Sequence, residues 1–144
     1  MSANVPPKRG VVAVLNDSQG RYLFIRRGLT LLRAPGFWCF PGGEVESGES
    51  WEAAVEREVK EEVGLCVSAG EKIHESVSPN GEYLLYWLRV TMKEPGQSVT
   101  LHPVEVEEAR WLTPREALQL EPILAGLKLW LVARVAVNEL EIRN

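Results

Sequence analysis

Glu58 stands three and four residues before Glu61 and Glu62 in the stretch PGGEVESGESWEAAVEREVKEEVGL, Pro41 to Leu65. On a helix those offsets put the three carboxylates within about 100° of arc. Residues 49–62 hold six glutamates (Glu49, Glu52, Glu56, Glu58, Glu61, Glu62) against Arg57 and Lys60. The resulting −4 equals the net charge of the whole chain. Like charges on neighbouring turns weaken a helix. Carboxylates converging near a buried edge repel one another unless a cation lies among them or one stays protonated. Donor sets made only of oxygen suit Mg²⁺ or Mn²⁺. The plain alternative is a set of solvated helical glutamates.

The helix that would position them spans Ser50 to Val63, with Gly64 as its stop. Trp51, Val55, Val59 and Val63 form one apolar ridge. Glu52, Glu56 and Lys60 lie on the far side, where Glu56 and Lys60 are spaced to pair. Ser50, Ala54, Glu58 and Glu62 run beside the apolar ridge, so the acidic face borders the core. Pro41-Gly42-Gly43 ends the preceding short aromatic strand, Phe37 to Phe40. Such a turn lets backbone approach a ligand and exposes carbonyls, although it also serves as a simple hairpin turn.

Elsewhere, Gly10–Leu15 and Arg21–Arg27 read as a strand and its hairpin partner around Asn16–Gly20. Leu65–Val77 reads as extended, Pro79-Asn80-Gly81 as a turn, Tyr83–Met92 as a central strand and Glu108–Leu112 as the last strand. Thr113-Pro114-Arg115-Glu116 is a helix start, and a C-terminal helix follows over roughly Ile123–Leu140. Interleaved strands and helices predict an α/β or α+β fold with a mixed sheet. No repeat or composition shift divides the 144 residues, so one domain over 1–144 is expected.

The chain is 45% hydrophobic and 25% charged, with pI near 5.3. This acidity argues against a binder of nucleic-acid polymers, which usually presents a basic face, but not against a small anion gripped through metal ions. Cys39 and Cys66, the only cysteines, make a disulfide framework improbable and suit a reducing compartment. MSANVPPKRG has no apolar core of a secretory leader. Ile123–Val137 is too short and too charged to span a bilayer. A cytoplasmic protein without membrane contact, monomeric or homodimeric, is expected.

Gly43, Glu49, Arg57, Glu58, Glu61, Glu62 and Gly64, with Val59 and Leu65, fit the pattern G-x5-E-x7-R-E-U-x-E-E-x-G-U, where U is a bulky aliphatic. Every fixed position matches. The motif resembles the Nudix box, and WCFPGG and ARWLTPREAL extend the likeness to Nudix (MutT-like) hydrolases over most of the chain. The resemblance implies an α/β/α sandwich with a mixed sheet, and hydrolysis of a nucleoside diphosphate linked to a group X. It implies that Glu58, Glu61 and Glu62 bind divalent cations, Mg²⁺ with Mn²⁺ as a substitute, helped by the carbonyl of Gly42 or Gly43. Arg57 would orient the carboxylates, Glu49 would support the loop–helix geometry, and Glu58 occupies the position that serves some members as general base. Held there, Mg²⁺ would neutralise pyrophosphate charge and lower the pKa of the attacking water.

In many members a base or further ligand comes from outside the box. Glu107 and Glu108, in the acidic run that also holds Glu105, are the candidates. Arg26 and Arg33, beside Arg27, are candidates for phosphate contacts, and Trp38 and Phe40 for stacking on a base or for the core. Trp87 and Trp130 read as core, and His74 and His102 receive no role. Tyr83 and Pro79 lie near family substrate markers without choosing between them. The expected substrate is a nucleoside triphosphate. The alternatives are dinucleoside polyphosphates, ADP-ribose or nucleotide sugars, or a Nudix-fold module that binds nucleotides without turnover. Retention of every box carboxylate favours the enzyme.

Overall fold

The computed structural model describes residues 5–143, so the first four residues of the leader reading lie outside the described residues. The strands are β1 (Lys8–Leu15), β2 (Tyr22–Arg27), β3 (Trp38–Cys39), β4 (Gly42–Glu44), β5 (Val67–Val77), β6 (Tyr83–Met92) and β7 (Val106–Leu112). The helices are α1 (Trp51–Val63), α2 (Pro114–Ala117) and α3 (Ala125–Arg143). One sheet has the order β4-β1-β6-β5 and is mixed, because β1 runs parallel to β6 and its other pairings are antiparallel. The second, β3-β2-β7, is antiparallel.

The strands alternate between two cores. Val11, Ala13 and Leu15 of β1 and Leu23 and Ile25 of β2 pack with Ala54, Val55, Val59 and Val63 of α1. Val14, Tyr22 and Phe24 face the other way and pack with Ala117 of α2 and Leu127 and Leu131 of α3. Sheets between helical layers make the α/β/α sandwich that the resemblance implies.

This double burial corrects the hairpin reading of β1 and β2. Each strand is used on both edges, β1 by β4 and β6, β2 by β3 and β7. A single bridge between Asn16 and Tyr22 remains of the direct pairing. Gly42–Glu44, read from sequence as turn alone, is an edge strand. Ala13 N–H donates to the Pro41 carbonyl (2.8 Å) and Val45 N–H to that of Arg9 (2.9 Å). A Cβ at Gly42 would lie 2.1 Å from the Val11 carbonyl oxygen, so the two backbones meet where only glycine fits.

Helix α1 forms as expected. The Ser50 hydroxyl accepts Ala53 N–H (3.1 Å), and Gly64 closes the helix at φ 71°. Trp51 stacks on Tyr86 of β6 at 3.9 Å between ring centroids. The Glu56–Lys60 pair does not form. β5 shifts register after Ala69, and Glu56 Oε2 accepts the Ala69 N–H at 2.9 Å, while Lys60 Nζ reaches Cys66 Sγ. A backbone donor on the open edge of β5 has the stronger claim on the carboxylate than an exposed ammonium.

β7 begins at Val106, two residues early, which adds Val106 and Glu107 to the strand that holds Glu108. Helix α3 begins two residues late, because Ile123 bridges to Trp38 and Leu124 N–H donates to the Trp38 carbonyl. Thr113 and Glu116 form the capping box at α2. Trp87 is buried, and Trp130 stacks on it at 5.9 Å. Among the described residues no helix is long and apolar enough to cross a membrane.

Candidate active site

Glu62 is the buried charged residue of the core, 5% exposed. It sits on the α1 face beside Val59 and Val63, and its Oε1 accepts the N–H of Gly42 on β4 at 2.8 Å. Burial pushes its carboxyl up to about 8, against the pull of that N–H, and the nearby charges of Glu58 and Glu105 push the same way. One turn earlier, burial also raises Glu58 above the ordinary carboxylate range, while Arg57 opposes the shift. The Glu58 carboxyl rests against Gly43. A Cβ there would lie 2.4 Å from Glu58 Cδ and 2.6 Å from both its oxygens. Glu61 is half exposed.

Arg57 organises this face. Its Nε and Nη2 grip Glu49 at 2.8 and 2.9 Å, Nη1 donates to Glu58 (2.8 Å) and Glu61 (3.2 Å), and Nη2 also reaches the Glu44 carbonyl (3.0 Å). The guanidinium holds the Glu49 carboxyl at about 2. Glu49 Oε1 in turn accepts Glu46 N–H at 3.0 Å, which ties down the loop between β4 and α1. A planar five-donor group suits this fork of acceptors where a lysine would not.

Among the described residues, no three acidic, His or Cys side chains already surround a common point. Arg57 draws Glu58 and Glu61 to itself, and Glu62 turns to Gly42. The donors nevertheless fit a hard divalent cation. N–H and C=O of one strand residue point to the same side, so Gly42, whose N–H meets Glu62, also turns its carbonyl toward α1. Gly43 lies opposite Val11, between the ladder bonds at Pro41 and Val45, and its carbonyl is turned to β1. The Gly42 carbonyl is therefore the ligand candidate of the two. A cation would reverse the penalty that burial places on ionised Glu62.

A segment to which the sequence reading gave no site role completes the site. Thr100 N–H donates to the Val63 carbonyl and His102 N–H to that of Glu62, both at 2.9 Å, filling orphan acceptors at the end of α1. His102 Nδ1 then accepts the N–H of Val104 (3.2 Å) and Glu105 (3.0 Å). The Glu105 carbonyl takes Gly28 N–H at 2.8 Å. Thus Glu105 is the member of the acidic run whose charge acts on both Glu58 and Glu62. Glu107 is exposed, and Glu108 Oε2 pairs with Arg110 Nε at 2.5 Å. No local signal separates the three glutamates; only the start of β7 does.

The model of the NUDIX domain family matches residues 6–131. The chain belongs to the Nudix family. It is 34% identical over 112 residues to the CTP pyrophosphohydrolase of Escherichia coli K12, which covers 76% of this chain and 78% of that one. A MutT protein from Methanosarcina mazei Go1 superposes with a TM-score of 0.79 at 25% identity, covering 95% and 99% of the two chains. The solution structure of the E. coli ORF135 protein superposes at 0.71 with 26% identity, covering 93% and 92%. The fold and the motif therefore agree, and the chain is a Nudix hydrolase.

In this Nudix hydrolase Arg26, Trp38 and Glu108 share one cross-strand row of the β3-β2-β7 sheet. Trp38 and Phe40 are buried in the core beneath α3, and Arg110 lies over the Trp38 ring at 5.1 Å. Arg26 Nε donates to the Gly36 carbonyl (3.2 Å). Arg33 pairs with Glu82 (2.6 Å) above the Tyr83 ring, and Tyr83 Oη reaches Glu44 Oε2 (3.2 Å). Arg27 lies on the opposite face of β2 from Arg26, donates twice to the Arg33 carbonyl, and acts electrostatically on Glu62. Arg27 is thus the arginine of this loop nearest in effect to the box carboxylates.

The contact at Gly43 sets a separable test. A Gly43→Ala substitution displaces the Glu58 carboxyl, which can swing aside, rather than backbone. Thermal stability should change little while kcat falls about 10-fold or more, the scale of disturbing a side chain that supports a site. Equal loss of both, or of neither, would contradict the close packing of Glu58 on Gly43.

Proposed function

We propose that the chain acts, as one domain over residues 1–144, as a Mg²⁺-dependent pyrophosphohydrolase of nucleoside triphosphates. One observation carries the reading: Glu62, buried beside Glu58 and tied to the Gly42 amide, keeps a carboxyl whose ionised form burial and the charges of Glu58 and Glu105 oppose and a bound cation would favour. Glu58, Glu61, Glu62 and the Gly42 carbonyl would hold the ion, with Mn²⁺ as a substitute. When bound, it supplies charge neutralisation for the phosphates and an acidified water. Arg57 orients Glu58 and Glu61 and keeps Glu49 out of the ligand set. Glu58 and Glu105, whose charges both act on Glu62, would be the carboxylates to take a proton from water. Arg27 carries positive charge to the same side, and Arg26 and Arg33 lie on the loop beside it. The length match to a CTP pyrophosphohydrolase supports a triphosphate over larger substrates. Free Cys39 and Cys66 agree with a reducing cytoplasm.

The test is product release from a panel of nucleotides with Mg²⁺ and with EDTA. The panel holds ordinary and oxidised triphosphates, dinucleoside polyphosphates, ADP-ribose and nucleotide sugars. Release of monophosphate and pyrophosphate from triphosphates, lost in EDTA and restored by Mg²⁺, is the expected result. Turnover confined to another class would replace the substrate. No turnover by the folded protein in any metal would replace the enzyme with a binding module.

A further inference from the structure

Helix α3 is apolar on two opposite faces. Leu127 and Leu131 are buried beneath the sheets, with Arg134 and Asn138 half-buried on the same side. At 100° per residue these four lie within about 60° of arc. The outward side carries Leu129, Val132, Ala133, Ala136, Val137 and Leu140, all exposed, Leu129 at 73% and Leu140 at 59%, with Ala133 and Val137 at the edge of a groove that they line with Val14, Tyr22 and Ile73. Their spacing of i, i+3, i+4, i+7, i+8, i+11 is that of a core-facing stripe. No charged side chain falls within that stripe between Leu129 and Leu140.

The order of side chains identifies what covers it. Leu, Val, Ala, Ala, Val, Leu reads the same in both directions about a point between Arg134 and Val135. A two-fold axis at that point reverses the helix of a second copy. Leu129 then meets Leu140 of the other copy, Val132 meets Val137, and Ala133 meets Ala136. Large pairs close the ends, and the small central pair lets the helix axes approach to about 8 Å. The charges match as well. Lys128 and Glu139 lie on one flank of the stripe, so Lys128 of each copy faces Glu139 of the other. Glu139 Oε1 takes Arg115 within its own chain, which leaves Oε2 for the lysine. An unrelated partner requires no mirrored order, whereas an isologous contact requires self-complementarity. We infer that the outward face of α3 is the interface of an antiparallel homodimer. It lies across the sheets from α1, so each subunit keeps its own site open.

Sedimentation velocity over a concentration series reads the mass directly. The unaltered protein should pass from monomer to dimer as concentration rises. Ala133→Lys should remain monomeric, because an unpaired ammonium would be buried at the axis, while kcat stays unchanged and the melting temperature matches that of the unaltered protein at concentrations where both are monomers. Adding Ala136→Glu to Ala133→Lys should restore the dimer, since the antiparallel register sets the introduced ammonium of each copy against the introduced carboxylate of the other. A protein monomeric throughout, a dimer indifferent to Ala133→Lys, or a double variant that stays monomeric would each overturn the inference.

Discussion

Glu62→Gln is expected to lower kcat by about 100- to 1,000-fold, the scale of losing one group that stabilises developing charge, while the protein stays folded. Glutamine keeps a carbonyl oxygen for the Gly42 N–H and removes the ionised form that burial disfavours. The same residue sets a pH dependence. Burial raises its carboxyl from an ordinary 4.5 to about 8 in the folded state. A raised carboxyl means that the fold prefers the protonated form. Its contribution is therefore fully present below pH 4.5, is lost as the pH rises toward about 8, and is flat above that. In EDTA the melting temperature of Glu62→Gln should match that of the unaltered protein near pH 4.5 and exceed it increasingly toward pH 8. Mg²⁺ should narrow the gap, because it favours the ionised carboxylate and releases a proton on binding. Turnover within a few-fold of normal would remove Glu62 from the ligand set, and a melting gap independent of pH would overturn its raised carboxyl.

Arg57→Met should be the most damaging single change to the metal-free fold of this site. One guanidinium satisfies Glu49, Glu58, Glu61 and the Glu44 carbonyl. Without it, partly buried carboxylates face one another unpaired. Breaking a buried ionic network by removing one partner costs about 3–5 kcal/mol, and the lower end applies because the Arg57 side chain is 24% exposed. Arg57→Lys should recover little, since one ammonium cannot grip Glu49 through two parallel bonds and still reach Glu58. The diagnostic readout is metal rescue. Mg²⁺ should raise the melting temperature of Arg57→Met by more than it raises that of the unaltered protein, because the cation then neutralises carboxylates that have lost their shared positive neighbour. Equal Mg²⁺ shifts in the two proteins would show that Arg57 does not share the carboxylates with the cation.

What the linear chain determined about this protein is local or periodic. The span of α1, its Ser50 and Gly64 ends, its valine ridge and the acidic edge beside that ridge all follow from neighbours within a few residues, where helical geometry is nearly rigid. Strand β6 and the Thr113–Glu116 cap are of the same kind. The motif from Gly43 to Leu65 brings the family with it, because its chemistry is packed into one loop and one helix. Tertiary structure decided whatever depends on contacts between distant segments. Whether β2 pairs with β1 cannot be read from two adjacent apolar strands, since both faces of β2 are buried and either edge is open to other partners. The spacing of Glu56 and Lys60 misleads because the open edge of β5, whose Ala69 N–H stands thirteen residues on from Glu56, cannot be seen from the helix. Glu105 is indistinguishable from Glu107 and Glu108 until the end of α1 catches His102 and β7 starts at Val106. Nothing in the local spacing of Glu62 says that a strand amide twenty residues earlier receives it. That closure, made when the backbone of β4 packs against α1, turns an acidic helix face into a site.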